Sequence, residues 1–333
     1  MSRPRIAVVI PKPHYEREFC AEARNILNSF ADITLNEKEL VFGEEEKTDF
    51  IKDADGVITG WGDSGLTKKN IEGAQKLRVI GVIGSSVKLV QPEFAMDKGI
   101  AVVNTAQAIG DSAAEYALAL ILVSLKDIIL FNQWMKVEKK WVPEDRNGAD
   151  LSNKTVGIIG LGAIGRKVAR LLSGFGARVL AYDPYFPAEK ALEIGVEMVA
   201  LDQLLSRSQV ITIHSGMTSE TLHLIGEKEL NMIQKNALLV NTARADIIDE
   251  EALAKKLKEG KFKAAIDVFH QEPLAEDSPL RSLDNVILTP HRAGATEDTY
   301  RRIGISIAAD FRLFFEGKPP KNALLKEQLS RMT

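Results

Sequence analysis

The chain has 333 residues, 45% hydrophobic and 27% charged, a composition typical of folded globular proteins and unlike that of disordered or fibrous ones. With 43 Lys and Arg against 46 Asp and Glu, the net charge of -3 offers no general positive field for a phosphate backbone, so no nucleic-acid partner is expected. A single cysteine, Cys20, excludes an internal disulfide, and no Cys/His cluster has metal-ligand spacing.

The length exceeds what one hydrophobic core usually serves, which predicts two domains. In chain order, the apolar run Ile6–Ile10 stops at Pro11, too soon for a signal-peptide core, and reads as a first strand. Runs at Gly56–Thr59, Val79–Ile83 and Ile100–Asn104 follow at helix-length intervals, the signature of βαβ units and a parallel sheet. Next comes a helical stretch, Asp111–Phe131, with Ser112 and Glu115 at capping-box spacing. From Tyr116 to Leu125 only Ser124 is polar, so this helix needs cover on several sides, and a homodimer is expected. That apolar run is shorter than the roughly 20 residues that span a bilayer, so the expected location is the cytoplasm, without a membrane partner. Residues 136–153 are polar and include Pro143, Asn147 and Gly148, as a connecting loop does.

A second series of strand-like runs begins after this loop: Val156–Ile159, Val179–Tyr182, Val210–Ile213, Leu238–Asn241, Ala264–Val268 and Val286–Leu288. The first leads directly into Gly160-Leu161-Gly162-Ala163-Ile164-Gly165 and then a helical segment. Glycines at this spacing allow a tight turn, backbone approach to a pyrophosphate and close helix–strand contact, while the helix start supplies free N–H groups. The next strand ends in Asp183, where a carboxylate accepts hydrogen bonds from ribose hydroxyls and repels a 2'-phosphate. The expected cofactor is therefore NAD.

Arg244, Glu272 and His291 stand at or just beyond three later strand ends, in "NTAR", "QEP" and "TPH". Carboxyl ends of strands face the ligand crevice in open α/β sheets, which gives these residues a physical reason to converge. Together with the glycine loop, the three motifs resemble the D-isomer-specific 2-hydroxyacid dehydrogenase family over nearly the whole chain. The resemblance implies two doubly wound parallel-sheet α/β domains. A Rossmann NAD-binding domain (104–293) would be inserted in a discontinuous flavodoxin-like substrate domain (1–103 and 294–333). It also implies a catalytic Arg244, Glu272 and His291, with Asp267 in "AIDV" holding the nicotinamide carboxamide. His214 and Thr242, at neighbouring strand ends, are expected to line the same pocket.

The side chains suit this chemistry. Oxidising a 2-hydroxy acid removes a hydroxyl proton as hydride leaves, which calls for a base such as His291. A carboxylate beside it, Glu272, stabilises the protonated ring and orients it. A guanidinium, Arg244, grips a carboxylate by two hydrogen bonds and polarises the adjacent carbonyl. The backbone of Gly84, Ser85 and Ser86 is expected to receive the substrate carboxylate. Here the chain departs from the family pattern, since Ser86 replaces a common glycine and Lys88 and Gln91 replace acids. Ala245 also replaces a glycine after the arginine. The remaining histidines, His14, His223 and His270, read as surface or loop residues. Formate dehydrogenases resemble the same pattern with glutamine where Glu272 stands, and phosphite enzymes carry lysine at the position of Ser85. A non-catalytic NAD sensor of the same fold is the alternative function, separable by turnover of any 2-oxo acid with NADH.

Overall fold

The computed structural model describes residues 3–141 and 147–331. The chain divides into two compact units, Met1–Ile109 with Ala295–Thr333, and Gly110–Gly294.

The first unit is built on five parallel strands: β1 (Arg5–Val8), β2 (Asp32–Leu35), β3 (Gly56–Gly60), β4 (Val79–Ile83) and β5 (Ala101–Asn104). They lie in the order β2-β1-β3-β4-β5, so the chain reverses direction across the sheet between β1 and β3. Every residue of β3 and β4 is buried, which accounts for their largely apolar sequences. One face packs Ile58, Val79 and Ile83 against Ile303, Ile307 and Phe311 of the late helix Glu297–Phe315, so this domain draws on both ends of the sequence. The other face joins Val57, Ile80 and Val82 to Ile51, Leu66 and Ile71.

The second unit contains β6 (Thr155–Ile159), β7 (Arg178–Tyr182), β8 (Val196–Met198), β9 (Val210–Ile213), β10 (Leu238–Asn241), β11 (Lys263–Ile266) and β12 (Val286–Leu288). Their order is β12-β11-β10-β9-β6-β7-β8, with all neighbours parallel and the reversal between β6 and β9. Both sheets are the expected doubly wound type. Strands β2 and β8 have no counterpart among the sequence-based runs. Both are sheet-edge strands, and they are short and only partly buried, so neither shows a clear apolar signal.

The long apolar helix differs from its sequence reading at both ends. It runs Ala106–Leu125, so Ser112 lies inside it and is not a cap. Ala106 and Gln107 are good helix formers, and the Ala106 N–H is already met by Asn104 Oδ1 at 3.3 Å, which allows the earlier start. The Ser112 hydroxyl instead donates to the Ala293 carbonyl at 2.9 Å. At the far end Asp127 turns left-handed (φ 51°), and the chain continues as a separate helix Ile128–Gln133 and a π-helical turn Trp134–Glu138. The connecting segment is thus helical at its beginning, while Pro143 lies outside the described residues. At 20 residues the helix Ala106–Leu125 is long and apolar enough to cross a membrane, and half of that window is buried, as in a core helix. Ala114, Ala117, Leu120 and Ile121 pack there with Val156, Ile158 and Val168.

Candidate active site

In the second unit, the turn after β6 lies at the point where strand order reverses. Gly160 has φ +91°, and a β-carbon there would fall 2.5 Å from Ser215 N, so only glycine fits the approach to the β9 end. Over Gly162, by contrast, a β-carbon would meet nothing within 4 Å, leaving open space at the start of the helix Ala163–Ser173. Ile164 and Gly165 form the first turn of that helix. Asp183 fastens this loop: its Oδ2 accepts from Leu161 N at 2.8 Å and its Oδ1 from Tyr185 N at 2.9 Å. Each oxygen keeps a second acceptor position for a ribose hydroxyl.

Two buried hydroxyls at the ends of β9 and β10, Ser215 Oγ and Thr242 Oγ1, have no hydrogen-bond partner among the described residues. Buried donors seldom stay unpaired, so their presence around an open glycine cradle fits a bound dinucleotide. Thr242 was expected there from sequence; Ser215, in "HSGMT", was not. His214 pairs through Nε2 with Thr212 Oγ1 at 2.9 Å, and burial pulls its pKa down to about 3, so the ring is neutral near neutral pH.

The residues expected to carry chemistry follow three adjacent strands, Arg244 after β10, Glu272 after β11 and His291 after β12. His291 Nδ1 and Glu272 Oε2 are 2.7 Å apart, and Phe269 N donates to the other Glu272 oxygen at 3.0 Å. The His291 and Glu272 side chains are 51% and 38% exposed, so the pair is open to an incoming molecule. Arg244 is partly buried. Burial lowers its pKa and the negative charge of Glu272 opposes that shift, which puts the guanidinium within electrostatic reach of the same carboxylate. Asn241 shapes the Arg244 turn, donating to the Arg244 carbonyl at 2.9 Å and accepting from Ala243 N at 3.0 Å. Ala245 opens a 3-10 turn in which no positive φ is required, so the missing glycine costs nothing there.

Asp267 is fully buried, and its carboxylate is largely occupied by the chain around His291. Oδ1 accepts from the Thr289 hydroxyl at 2.6 Å and Arg292 N at 3.0 Å, while Oδ2 accepts from Ala293 N at 2.9 Å. Its backbone carbonyl also receives His291 N at 2.8 Å. Asp267 therefore clamps the His291 loop, leaving one acceptor position on Oδ2 for a carboxamide.

In the first unit, the loop after β4 corrects one expectation. The Gly84 N–H donates to Thr105 Oγ1 at 2.9 Å, so it is not available to a substrate carboxylate. Thr105, just beyond the neighbouring strand β5, occupies it because β4 and β5 are paired in register. Asn104 Nδ2 further holds the Ser85 carbonyl at 3.0 Å. The Ser86 N–H has no hydrogen-bond partner among the described residues.

A family model described as the D-isomer specific 2-hydroxyacid dehydrogenase NAD binding domain matches residues 118–293. The chain belongs to this family, and its second unit is the NAD-binding Rossmann domain. It is 34% identical over 98% of its length to a glyoxylate reductase of Aeropyrum pernix, covering 97% of that protein. It is also 40% identical over 84% of its length to a D-3-phosphoglycerate dehydrogenase of Methanocaldococcus jannaschii, and spans about half (53%) of that longer relative. Among solved structures, D-lactate dehydrogenase of Escherichia coli superposes with a TM-score of 0.77 at 26% identity, over 96% of this chain and 100% of that one.

Asp183 yields a direct prediction about the cofactor. NADH is expected to bind about 10- to 150-fold more tightly than NADPH, the value of charge-assisted ribose hydrogen bonds. Fluorescence titration with both nucleotides measures it, and equal affinities would remove Asp183 from ribose recognition.

Proposed function

We propose that this protein interconverts a small D-2-hydroxy acid and its 2-oxo acid, with NAD as the redox partner. NAD, when bound, accepts or returns the hydride. Arg244 grips the substrate carboxylate and polarises the carbonyl oxygen, where its fork of donors is worth most in a partly dry setting. His291 moves the proton to or from that oxygen through Nε2, because Nδ1 is engaged by Glu272. Glu272 keeps the ring in that tautomer and orientation. Asp267 holds the backbone from which His291 projects, and Ser86 N–H, with the neighbouring Ser85, meets the substrate carboxylate.

The observation that supports this reading most is the 2.7 Å His291–Glu272 pair beside a partly buried guanidinium at three adjacent strand ends. The test is NADH consumption with a series of 2-oxo acids from glyoxylate upward. Turnover of at least one acid is expected, whereas NADH binding without turnover of any would favour a nucleotide sensor of the same fold.

The functional form we propose is a cytoplasmic homodimer. Ile128, Ile129, Met135, Val137 and Trp141 are exposed at 50%, 49%, 50%, 73% and 83%, a run of large apolar side chains that water disfavours. A groove of about 630 Å³ bordered by Val123, Ile129, Trp134 and Phe262 lies beside them. Light scattering at micromolar concentration is expected to report twice the monomer mass, and a monomer alone would contradict this assembly.

A further inference from the structure

Glu272 stands in a turn with little of its own to hold it. Among the described residues, residues 268–273 take part in no backbone–backbone hydrogen bond. The Phe269 N–H is spent inside the turn, on Glu272 Oε1 at 3.0 Å. The Phe269 side chain belongs to the core that contains Ile247, Ile248 and Leu253, which anchors the start of the turn. Apolar packing of that kind has no direction, so it does not by itself aim a carboxylate.

Direction comes from His270. Its backbone N–H donates to Glu250 Oε2 at 3.1 Å, and its ring nitrogen Nε2 lies 3.2 Å from the Ile248 carbonyl oxygen. A carbonyl only accepts, so His270 carries a proton on Nε2 and donates it there. Asp246 Oδ1 stands 3.7 Å from the same nitrogen, and the His223 ring lies parallel to the His270 ring with centres 6.1 Å apart. Apart from the Glu272–His291 pair, the two His270 bonds are the hydrogen bonds that join residues 268–273 to another element among the described residues.

Both bonds end on the segment that begins with Arg244 and leads into the helix Glu250–Lys258. That segment is fixed independently of His270. Asn241 holds the Arg244 turn, Ile225 N donates to the Ile247 carbonyl at 3.0 Å, and Asp249 N donates to the Ile225 carbonyl at 3.1 Å. Asp249 also caps the helix, its Oδ1 accepting from Ala252 N at 3.0 Å. The anchored side carries Arg244 and the loosely held side carries Glu272. His270 is the link between them.

We propose that His270 is a positioning residue. Through the bond from Nε2 to the Ile248 carbonyl it registers the Glu272 turn against the Arg244 segment, and so sets the aim of the Glu272–His291 pair. The inference rests on the reading that Arg244, Glu272 and His291 carry out 2-oxo acid reduction. Because the Arg244 segment has its own supports, loss of this bond falls on proton transfer and not on substrate grip.

The test compares His270→Phe, which keeps a ring and removes the donor, with His270→Gln, whose amide nitrogen lies the same number of bonds from Cα. Both keep the backbone bond to Glu250, and the native side chain is 34% exposed, so neither opens a core cavity. His270→Phe is expected to slow NADH oxidation in a single turnover by about 10- to 100-fold, the scale on which a small misplacement of a catalytic group acts. KM for the oxo acid and NADH affinity should stay near those of the unmodified protein, and His270→Gln should recover most of the rate. Nitrogen-15 spectra of the His291 ring supply a readout independent of turnover. One tautomer with the proton on Nδ1 is expected in the unmodified protein and in His270→Gln, and a mixture in His270→Phe. An unchanged rate and ring spectrum in His270→Phe, or equal impairment of both variants, overturns the inference, as does a loss confined to thermal stability. No turnover of any 2-oxo acid by the unmodified protein overturns the reductase reading, and the His291 spectra of the variants then decide the inference alone.

Discussion

Replacing His291 by asparagine is expected to lower kcat for 2-oxo acid reduction by about 10²- to 10⁴-fold, the range that general acid–base catalysis supplies. Asparagine is the informative replacement because His291 has φ +52°, in the left-handed region that asparagine tolerates better than most residues. Its amide can still donate to Glu272, and the backbone bond from residue 291 to the Asp267 carbonyl is kept. The variant therefore removes the proton-transfer group while the loop retains its shape. NADH affinity and thermal stability are expected to stay near those of the unmodified protein. Steady-state kinetics and nucleotide titration measure both quantities. A loss below about tenfold in a folded variant would take proton transfer away from His291.

A second large effect concerns stability. The Lys47 side chain is 1% exposed and holds the fully buried carboxylate of Asp63 at 2.7 Å. Its ammonium also donates to Ser64 Oγ at 2.9 Å and the Gly65 carbonyl at 2.8 Å, so all three of its protons are used on one loop. Asp63 Oδ2 accepts in addition from the Thr59 hydroxyl at 2.6 Å and Gly65 N at 3.0 Å. Lys47→Met keeps most of the side chain's apolar stem, removes the ammonium and leaves the Asp63 charge buried without its partner. Breaking a buried pair from one side typically costs about 3 to 5 kcal/mol, and that loss is expected in denaturant unfolding. Lys47→Met combined with Asp63→Asn should recover part of it, since the orphaned charge is then gone. A change below about 1 kcal/mol would mean that the pair behaves as a solvated surface contact.

The parts of this molecule that chain-local chemistry dictates were legible in the sequence. The glycine spacing from Gly160 to Gly165, the acidic end of β7 at Asp183 and the residues following β10, β11 and β12 depend on strand–turn–helix rules that act over a few residues. Parallel-sheet strands with both faces covered also announced themselves as apolar runs. What stayed hidden depends on partners brought from elsewhere. The part of Asp267 in clamping the His291 loop was one such feature, because its bonds to Thr289, Arg292 and Ala293 form only when β11 and β12 pair. Gly84 looked free to bind a substrate until β5 placed Thr105 beside it. His270 read as a surface or loop histidine, and nothing near it in sequence reveals its bonds to Ile248 and Glu250. The early start of the helix Ala106–Leu125 was missed for a different reason: a capping-box pattern at Ser112 and Glu115 is a local preference, and the helix-forming residues before it override it.

Hydride is expected to pass between NAD and C2 of a 2-oxo acid to form the D-hydroxy acid. The most direct measurement supplies NADH deuterated at the transferable C4 position together with a prochiral 2-oxo acid that the protein turns over, and analyses the product by mass spectrometry and chiral chromatography. One deuterium at C2 and the D enantiomer are expected. Product without deuterium at C2, or product of L configuration, would contradict this assignment.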